Sequence, residues 1–299
     1  FPDGTAEKRP FRIEGENYYG PGVGDMKNGD LAMFHIAANL PETEKKCLNI
    51  AMVYNPDEEI GSIYSKEITD RIGCQADHIF VMESAGKNGT RHCFARKGSL
   101  TYDIEFQGQA AHAGFMFEVE NASAVLEMGH YIVELMNLAD REKDTTVNVG
   151  VANGGTARNV VADHAKISVE MRFWDDSERI RLKEYVNKIT KGQPFVPGVK
   201  TTITMQKETP PFIKTEEAKK YIERVRKIAE EQGIPFEEKD RGGLSDANHL
   251  SRCGNAIVMD GMGPHGANDH SEKEYGYIGS VEPCVKLHLA MLKDMLKKQ

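Results

Sequence analysis

The apolar run over residues 48–54 ends directly in the acidic segment NPDEEIGS, and that junction constrains the fold more than any other part of the chain. A continuous apolar run of this length is the pattern of a strand covered on both faces. A helix is predicted next, over 64–72, and then a second apolar strand, 79–82, that runs straight into Glu83. Strand, loop, helix and strand in that order build a parallel sheet, because a parallel partner is reached only through a crossover. Ligands collect at the carboxyl ends of such strands, which is where Glu58, Glu59 and Glu83 fall.

Three further loops carry a carboxylate or a histidine at a predicted element end. GPGVGDMKNG supplies Asp25, RGGLSDANH supplies Asp246, and GPHGANDHSEKEY supplies His270. Oxygen and nitrogen donors of this kind suit a borderline-soft ion such as Zn²⁺. Taken singly, Asp25 reads as a turn residue, Glu58 and Glu59 as a solvated acidic loop, and Glu83 as an ordinary strand end. Their common place at the ends of predicted strands favours one metal site. Adjacent carboxylates on a tight loop point in different directions, so one can hold an ion while the other faces water as a general base. His112, in GQAAHAG, follows a strand outside this cluster, and His35, His78, His92, His130, His164, His249 and His288 read as structural.

A chain of 299 residues allows two domains at the usual ~100–200 residues each. From Gly98 the pattern changes to alternating strands, with helices near 122–138 and 178–191 and a last strand over 201–206. The order β, α, β, β, α, β is that of a ferredoxin-like split motif. This predicts an α/β protein in which 98–207 is inserted between 1–97 and 208–299. Earlier, residues 11–20 read as a hairpin, and Met33, Ile36, Ala37 and Leu40 mark one helical face. Later, Thr215 caps a helix whose buried face is Ala218, Tyr221, Ile222, Val225, Ile228 and Ala229.

The formal net charge is −8, with Lys and Arg scattered over helical faces. Nucleic acid and anionic membrane are therefore poor partners. No run approaches the ~18 apolar residues of a bilayer span. Five cysteines without close spacing suit a reducing compartment, which predicts a cytoplasmic protein.

With these segments in order, namely GPGVGDMKNG, NPDEEIGS, VMESAG, GQAAHAG, GGTARNVVADHA and GPHGANDHSEKEY, the chain resembles the zinc-dependent amidohydrolases that include aminoacylase, glutamate carboxypeptidase and succinyl-diaminopimelate desuccinylase. The resemblance implies a mostly parallel-sheet di-zinc peptidase domain with an inserted lid and dimerisation domain. It implies Asp25 as the carboxylate bridging two Zn²⁺ (Co²⁺ and Mn²⁺ being alternatives), Glu59 and His270 as ligands of one ion, Glu83 as a ligand of the other, and Glu58 as the general base. It further implies that His112 reaches the oxyanion in a partner copy, that Asn159, Arg172 and Gly243 bind substrate carboxylate or line the cleft, and that Asp246 supports the site from behind the ligands.

Three departures qualify the likeness. No His-x-Asp motif precedes Asp25, and FPDGTAEKRPF resembles the stretch just after that motif, so the expectation is a chain lacking an N-terminal segment of a helix and central strands. Asn28 stands where the family pattern DMKGG has glycine. Lys207, Glu208 and Thr209 stand where several relatives carry arginine, so a preference for glutamate-like residues is not implied. The expected activity is metal-dependent hydrolysis of an amide in a short peptide or N-acyl amino acid by a homodimer. The alternative is an inactive relative that keeps dimerisation and at most one metal.

Overall fold

The stretch Gly98–Gln107 alternates in its outer half between buried and solvent-facing side chains, and it forms an inner strand of a four-stranded antiparallel sheet in a computed structural model that describes residues 1–297. That sheet belongs to one of two compact units, 97–211; the described residues on either side of it form the other. Its spatial order is Lys200–Thr209, Gly98–Gln107, His164–Phe173, Thr146–Gly154, with every pair antiparallel. Along the chain the long elements run strand, helix, strand, strand, helix, strand. Leu100, Tyr102, Ile104 and Phe106 from one strand and Ala165, Ile167, Val169, Met171 and Phe173 from its neighbour are buried. They pack against helices Ala124–Met136 and Asp176–Lys191 through Tyr131, Leu135, Leu182 and Val186. Each helix begins on a side-chain cap: Ser123 accepts the Leu126 N–H and Asp175 accepts the Glu178 N–H, which satisfies amides that have no partner inside the helix. The last strand runs three residues beyond the predicted Gln206, to Thr209, and carries the unit to Pro211.

In the split unit the predicted hairpin forms as Arg12–Glu14 paired with Asn17–Tyr19. It joins Tyr275–Tyr277 and Gly266–Ala267 in a second antiparallel sheet. Among the described residues, two pairs of strands are parallel, His78–Phe80 with Ile257–Met259 and Arg91–His92 with Glu237–Glu238. Helix Glu216–Glu231 buries the predicted six-residue face. It shares a core with helix Asn28–Asn39, through Ala32 and Ile36, and with Val281–Leu296, through Leu287 and Met291.

The expected strand over 48–54 does not form. Among the described residues no strand pairs with this segment, and Ile50 and Tyr54 are exposed while Met52 and Val53 are half-buried. Tyr54 instead stacks on Phe34 at 5.7 Å between ring centroids. An apolar run specifies burial, but a strand also needs a neighbour to take its N–H and C=O groups. The parallel sheet read from the sequence is thus present as two short pairs, and the larger sheet of the unit is antiparallel. Among the described residues, no helix is long and apolar enough to cross a membrane.

Two expectations follow for the inserted unit. Phe106 is fully buried and meets Tyr131 edge-on at 5.0 Å; Phe106→Ala should cost about 3–5 kcal/mol in the urea-unfolding transition of this unit, and an unchanged midpoint would show that the ring is loosely held. Glu178 receives bonds from Arg181, Lys143 and Thr145, and the Arg181 guanidinium above all holds its carboxyl down at about 2. Because the folded pKa lies below the unfolded value of about 4.3, this stabilisation is complete above that value and is lost as pH falls through about 2. Thermal melts of Glu178→Gln should therefore show a shallower acid decline than wild type.

Candidate metal centre

Asp25 is presented by a loop whose amides converge on one buried carboxylate. Glu274 accepts the N–H groups of Gly22 at 2.8 Å, Gly24 at 2.9 Å and Asp25 at 3.1 Å. Three backbone donors on one carboxylate fix the loop, and with it the direction of the Asp25 side chain. Asn28, the departure from the family pattern, is buried; its amide donates to the Pro264 carbonyl at 3.2 Å and to the Ser84 hydroxyl at 3.4 Å. The asparagine thus adds bonds between the Asp25 loop and the segments carrying Glu83 and His270.

Glu58 and Glu59 occupy a single 3-10 turn, Glu58–Ile60. Asp57, just before it, accepts the Tyr64 and Ser65 N–H groups at 2.8 and 3.0 Å, which folds the following segment back over the turn. Glu59 is exposed and Glu58 half-buried, so the two neighbours face different surroundings.

These loops meet. His270 Nε2 lies 3.0 Å from Asp25 Oδ2 and 3.2 Å from Glu59 Oε2, and one ligand atom from each residue lies within 4.8 Å of the others. The Glu59 carboxylate first, then Asp25, push the His270 pKa up against its partial burial. Asp25 is pushed up by burial and by Glu59, with His270 opposing. Glu58 is pushed up to about 7 by burial and by the charges of Asp246, Glu59 and Asp25. Glu83 is half-buried, and burial followed by Asp260 and Asp25 raises its pKa well above the carboxylate range while Arg96 opposes. Glu83 therefore feels the same field but stands outside the three-residue group. A knot in which Asp25, Glu58 and Glu83 are costly to ionise, with two oxygens and one nitrogen converging, fits a divalent cation in both charge and donor type.

Behind the knot, Arg96 pairs with Asp260, both buried, and donates to the carbonyls of Gly243 and Leu244 at 3.2 Å each. Asp260 also accepts the Ser245 hydroxyl at 2.6 Å. Gly243 is held in this way, and Asp246 follows it; Asp246 accepts Asn55 at 2.8 Å and the Ser62 hydroxyl, one on each side of the Glu58 turn.

In the inserted unit, His112 is exposed and its Nδ1 accepts the Gly114 N–H at 3.1 Å, which leaves the proton of a neutral ring on Nε2. The carbonyl of Asn159 accepts the Ala113 N–H at 2.9 Å. His112 and Asn159 are therefore neighbours: His112 ends the short strand Ala111–His112, and Asn159 comes just before its partner strand, Val160–Val161. Arg172 lies toward the other end of His164–Phe173, where it pairs with Glu170 at 2.8 Å. From His164 to Arg172 is roughly 26 Å at about 3.3 Å per residue, so the unit does not bring Arg172 to His112.

Sequence reasoning passed over Glu274, Arg96, Asp260 and His249. Glu274 lies in the same loop motif as His270, and its acidity was visible; the converging amides it serves are a property of backbone conformation alone. His249 proves to bridge two carboxylates, at 2.6 Å to Asp70 and 3.0 Å to Asp246.

The family pattern of Peptidase family M20/M25/M40 matches residues 1–294. Carboxypeptidase G2 from Pseudomonas sp. (strain RS-16) is 24% identical over 295 residues, a match that takes in 98% of this chain and 70% of that protein. Among solved structures, a tripeptidase from Staphylococcus aureus superposes with a TM-score of 0.78 at 19% identity, over 97% of this chain and 77% of the other. Aminopeptidase PepT from Bacillus cereus gives 0.76 at 21% identity, over 96% and 76%. At such identities the structures speak to the fold, and the family pattern speaks to descent. Since that pattern runs through both units and every loop that builds the metal centre, the chain belongs to Peptidase family M20/M25/M40.

Proposed function

We propose that the protein hydrolyses an amide bond in a short peptide or N-acyl amino acid, with Zn²⁺ held by Asp25, Glu59 and His270 and with Glu58 as the general base. The observation that carries this reading is the convergence of those three ligands beside a carboxylate whose pKa is pushed up to about 7. When bound, the ion supplies Lewis-acid polarisation of the scissile carbonyl and lowers the pKa of water. Co²⁺ and Mn²⁺ suit the same donors. Asp25 would also help hold a second ion, for which Glu83 would be a ligand.

Glu58 accepts the proton of the attacking water at a carboxylate oxygen and returns it to the leaving amine. A base poised near neutral pH does this best, being deprotonated often enough to accept yet a good enough acid to give the proton back. Burial and the charges of Asp246, Glu59 and Asp25 disfavour the anion, and Arg96 opposes the shift. His112 is assigned as the Nε2–H donor to the oxyanion of substrate in a partner copy. Asn159, Arg172 and Gly243 are assigned to substrate carboxylate or the cleft wall. The inserted unit is taken as a ferredoxin-like lid and homodimerisation domain; its element order supports the first, and the exposed Val125, Leu126, Val133 and Met136 on helix Ala124–Met136 support the second.

One observation favours the alternative of an inactive, single-ion relative: Glu83 stands outside the three-ligand group. The two readings separate in one experiment. Chelated protein is reloaded with Zn²⁺ and assayed on N-acyl amino acids and on di- and tripeptides, alongside Glu58→Gln. The hydrolase reading expects turnover that Glu58→Gln lowers by about 10²–10⁴-fold with bound Zn²⁺ unchanged. Turnover that survives Glu58→Gln would remove Glu58 as base, and no turnover at any Zn²⁺ level would establish the inactive relative.

A further inference from the structure

His249 lies in the short helix Ala247–Leu250 with its side chain 10% exposed. Its Nδ1 is 2.6 Å from Asp70 Oδ1 and its Nε2 is 3.0 Å from Asp246 Oδ1. A neutral imidazole has one N–H and would turn a lone pair toward one of these carboxylates; the imidazolium donates to both. Its pKa is accordingly raised: burial opposes the charge, and the two aspartates outweigh burial. Asp70, on helix Lys66–Gly73, is held in turn by Lys66, and its backbone carbonyl accepts the Cys253 thiol at 3.4 Å.

The other side of Asp246 leads to the site. Its Oδ2 accepts the Asn55 amide at 2.8 Å and its Oδ1 accepts the Ser62 hydroxyl. Asn55 and Ser62 are the first and last residues of NPDEEIGS, so one carboxylate ties both ends of the segment that carries Glu58 and Glu59. Ser62 has a left-handed φ of 54°, as has Gly61 before it at 85°. For a serine that conformation is costly, and the bond to Asp246 holds it in place. An isolated role in stability is a poor account of the arrangement. A largely buried triad of charges is often no more stabilising than apolar side chains of the same volume, whereas it fixes orientation closely.

We propose that His249 and Asp70 are positioning residues: the relay Asp70, His249, Asp246 clamps segment 55–62 at both ends and so sets the direction in which Glu59 meets Asp25 and His270 and in which Glu58 faces substrate. This rests on the reading of Glu58 as base and Glu59 as metal ligand.

The test uses the whole chain, as wild type, His249→Gln, Ser62→Ala, the double variant and Lys66→Ala. Zn²⁺ affinity is measured by competition with a chromophoric chelator, and backbone exchange over 55–65 by hydrogen-exchange mass spectrometry. His249→Gln and Ser62→Ala should each weaken Zn²⁺ binding by about 10–100-fold and speed exchange over 55–65 above the rest of the chain. The double variant should be no weaker than the worse single, because both act on one clamp. Lys66→Ala removes only an exposed partner of Asp70 and should stay within about twofold of wild type. Zn²⁺ affinity and 55–65 exchange unchanged in folded His249→Gln, or fully additive effects in the double, would overturn the proposal. Should His249→Gln not fold, Asp70→Asn with Ser62→Ala decides by the same criteria. If wild type binds no Zn²⁺, the metal-ligand reading fails by itself; faster exchange over 55–65 in the variants still supports the clamp, and unchanged exchange refutes it.

Discussion

The ion pair between Arg96 and Asp260 is the interaction on which the split unit's site depends. Their side chains are 5% and 0% exposed, so both charges have left water, and the cost is offset only because nearly every polar atom finds a partner. Arg96 reaches the carbonyls of Gly243 and Leu244, while Asp260 takes the Ser245 hydroxyl and the Gly261 N–H. One pair therefore fixes the loop that leads into Asp246 and the turn after strand Ile257–Met259. The same guanidinium is also the positive charge that opposes the upward shifts of Glu58 and Glu83. Folding and site electrostatics are joined in a single residue, and neither could be altered there without the other.

What surrounds that cation is an excess of negative charge. Asp25, Glu58 and Glu83 all have raised pKa values, and Asp269, beside His270, is raised as well by burial and by Asp25. A protein gathers carboxylates against their mutual repulsion only where something repays the cost. His270 supplies part of the compensation, and a bound divalent cation would supply far more and reverse the direction of these shifts. Asp246 differs from its neighbours: it is buried, yet His249, Ser62 and Asn55 keep its pKa low. It is a permanent anion beside a set of negotiable ones, which suits a structural anchor rather than a ligand.

Much of this could be read from the sequence, and the reasons are physical. The buried face of Glu216–Glu231 follows from helical periodicity alone, and the hairpin at 12–19 from turn chemistry. Asp25, Glu59 and His270 were legible together because each follows a glycine-rich or acidic loop in a recurring order. The segment 48–54 was misread because an apolar pattern says nothing of a pairing partner, and here the segment is neither paired nor buried. His249 was read as structural, and its partners were hidden for a different reason. Its importance lies in two carboxylates, one of them 179 residues away, and no local pattern encodes that meeting.

Three distant loops, those of Asp25, Glu83 and His270, come together at a contact between glycines. A Cβ on Gly24 would stand 2.9 Å from the Tyr275 carbonyl, and one on Gly266 would stand 2.5 Å from the Gly24 Cα and 2.8 Å from the Ser84 hydroxyl. Distances below 3 Å are not tolerated by carbon, so the backbones of these segments touch only because both side chains are absent. Ser84 completes the vertex by donating its hydroxyl to the Gly24 carbonyl. Each member stands close in sequence to a proposed ligand: Gly24 to Asp25, Ser84 to Glu83, and Gly266 to His270. The centre is thus assembled by backbone packing before any metal–ligand bond is considered. Asp25 and His270 inherit their approach from a scaffold of two glycines and one serine, and the clamp on segment 55–62 then has Glu58 and Glu59 left to aim.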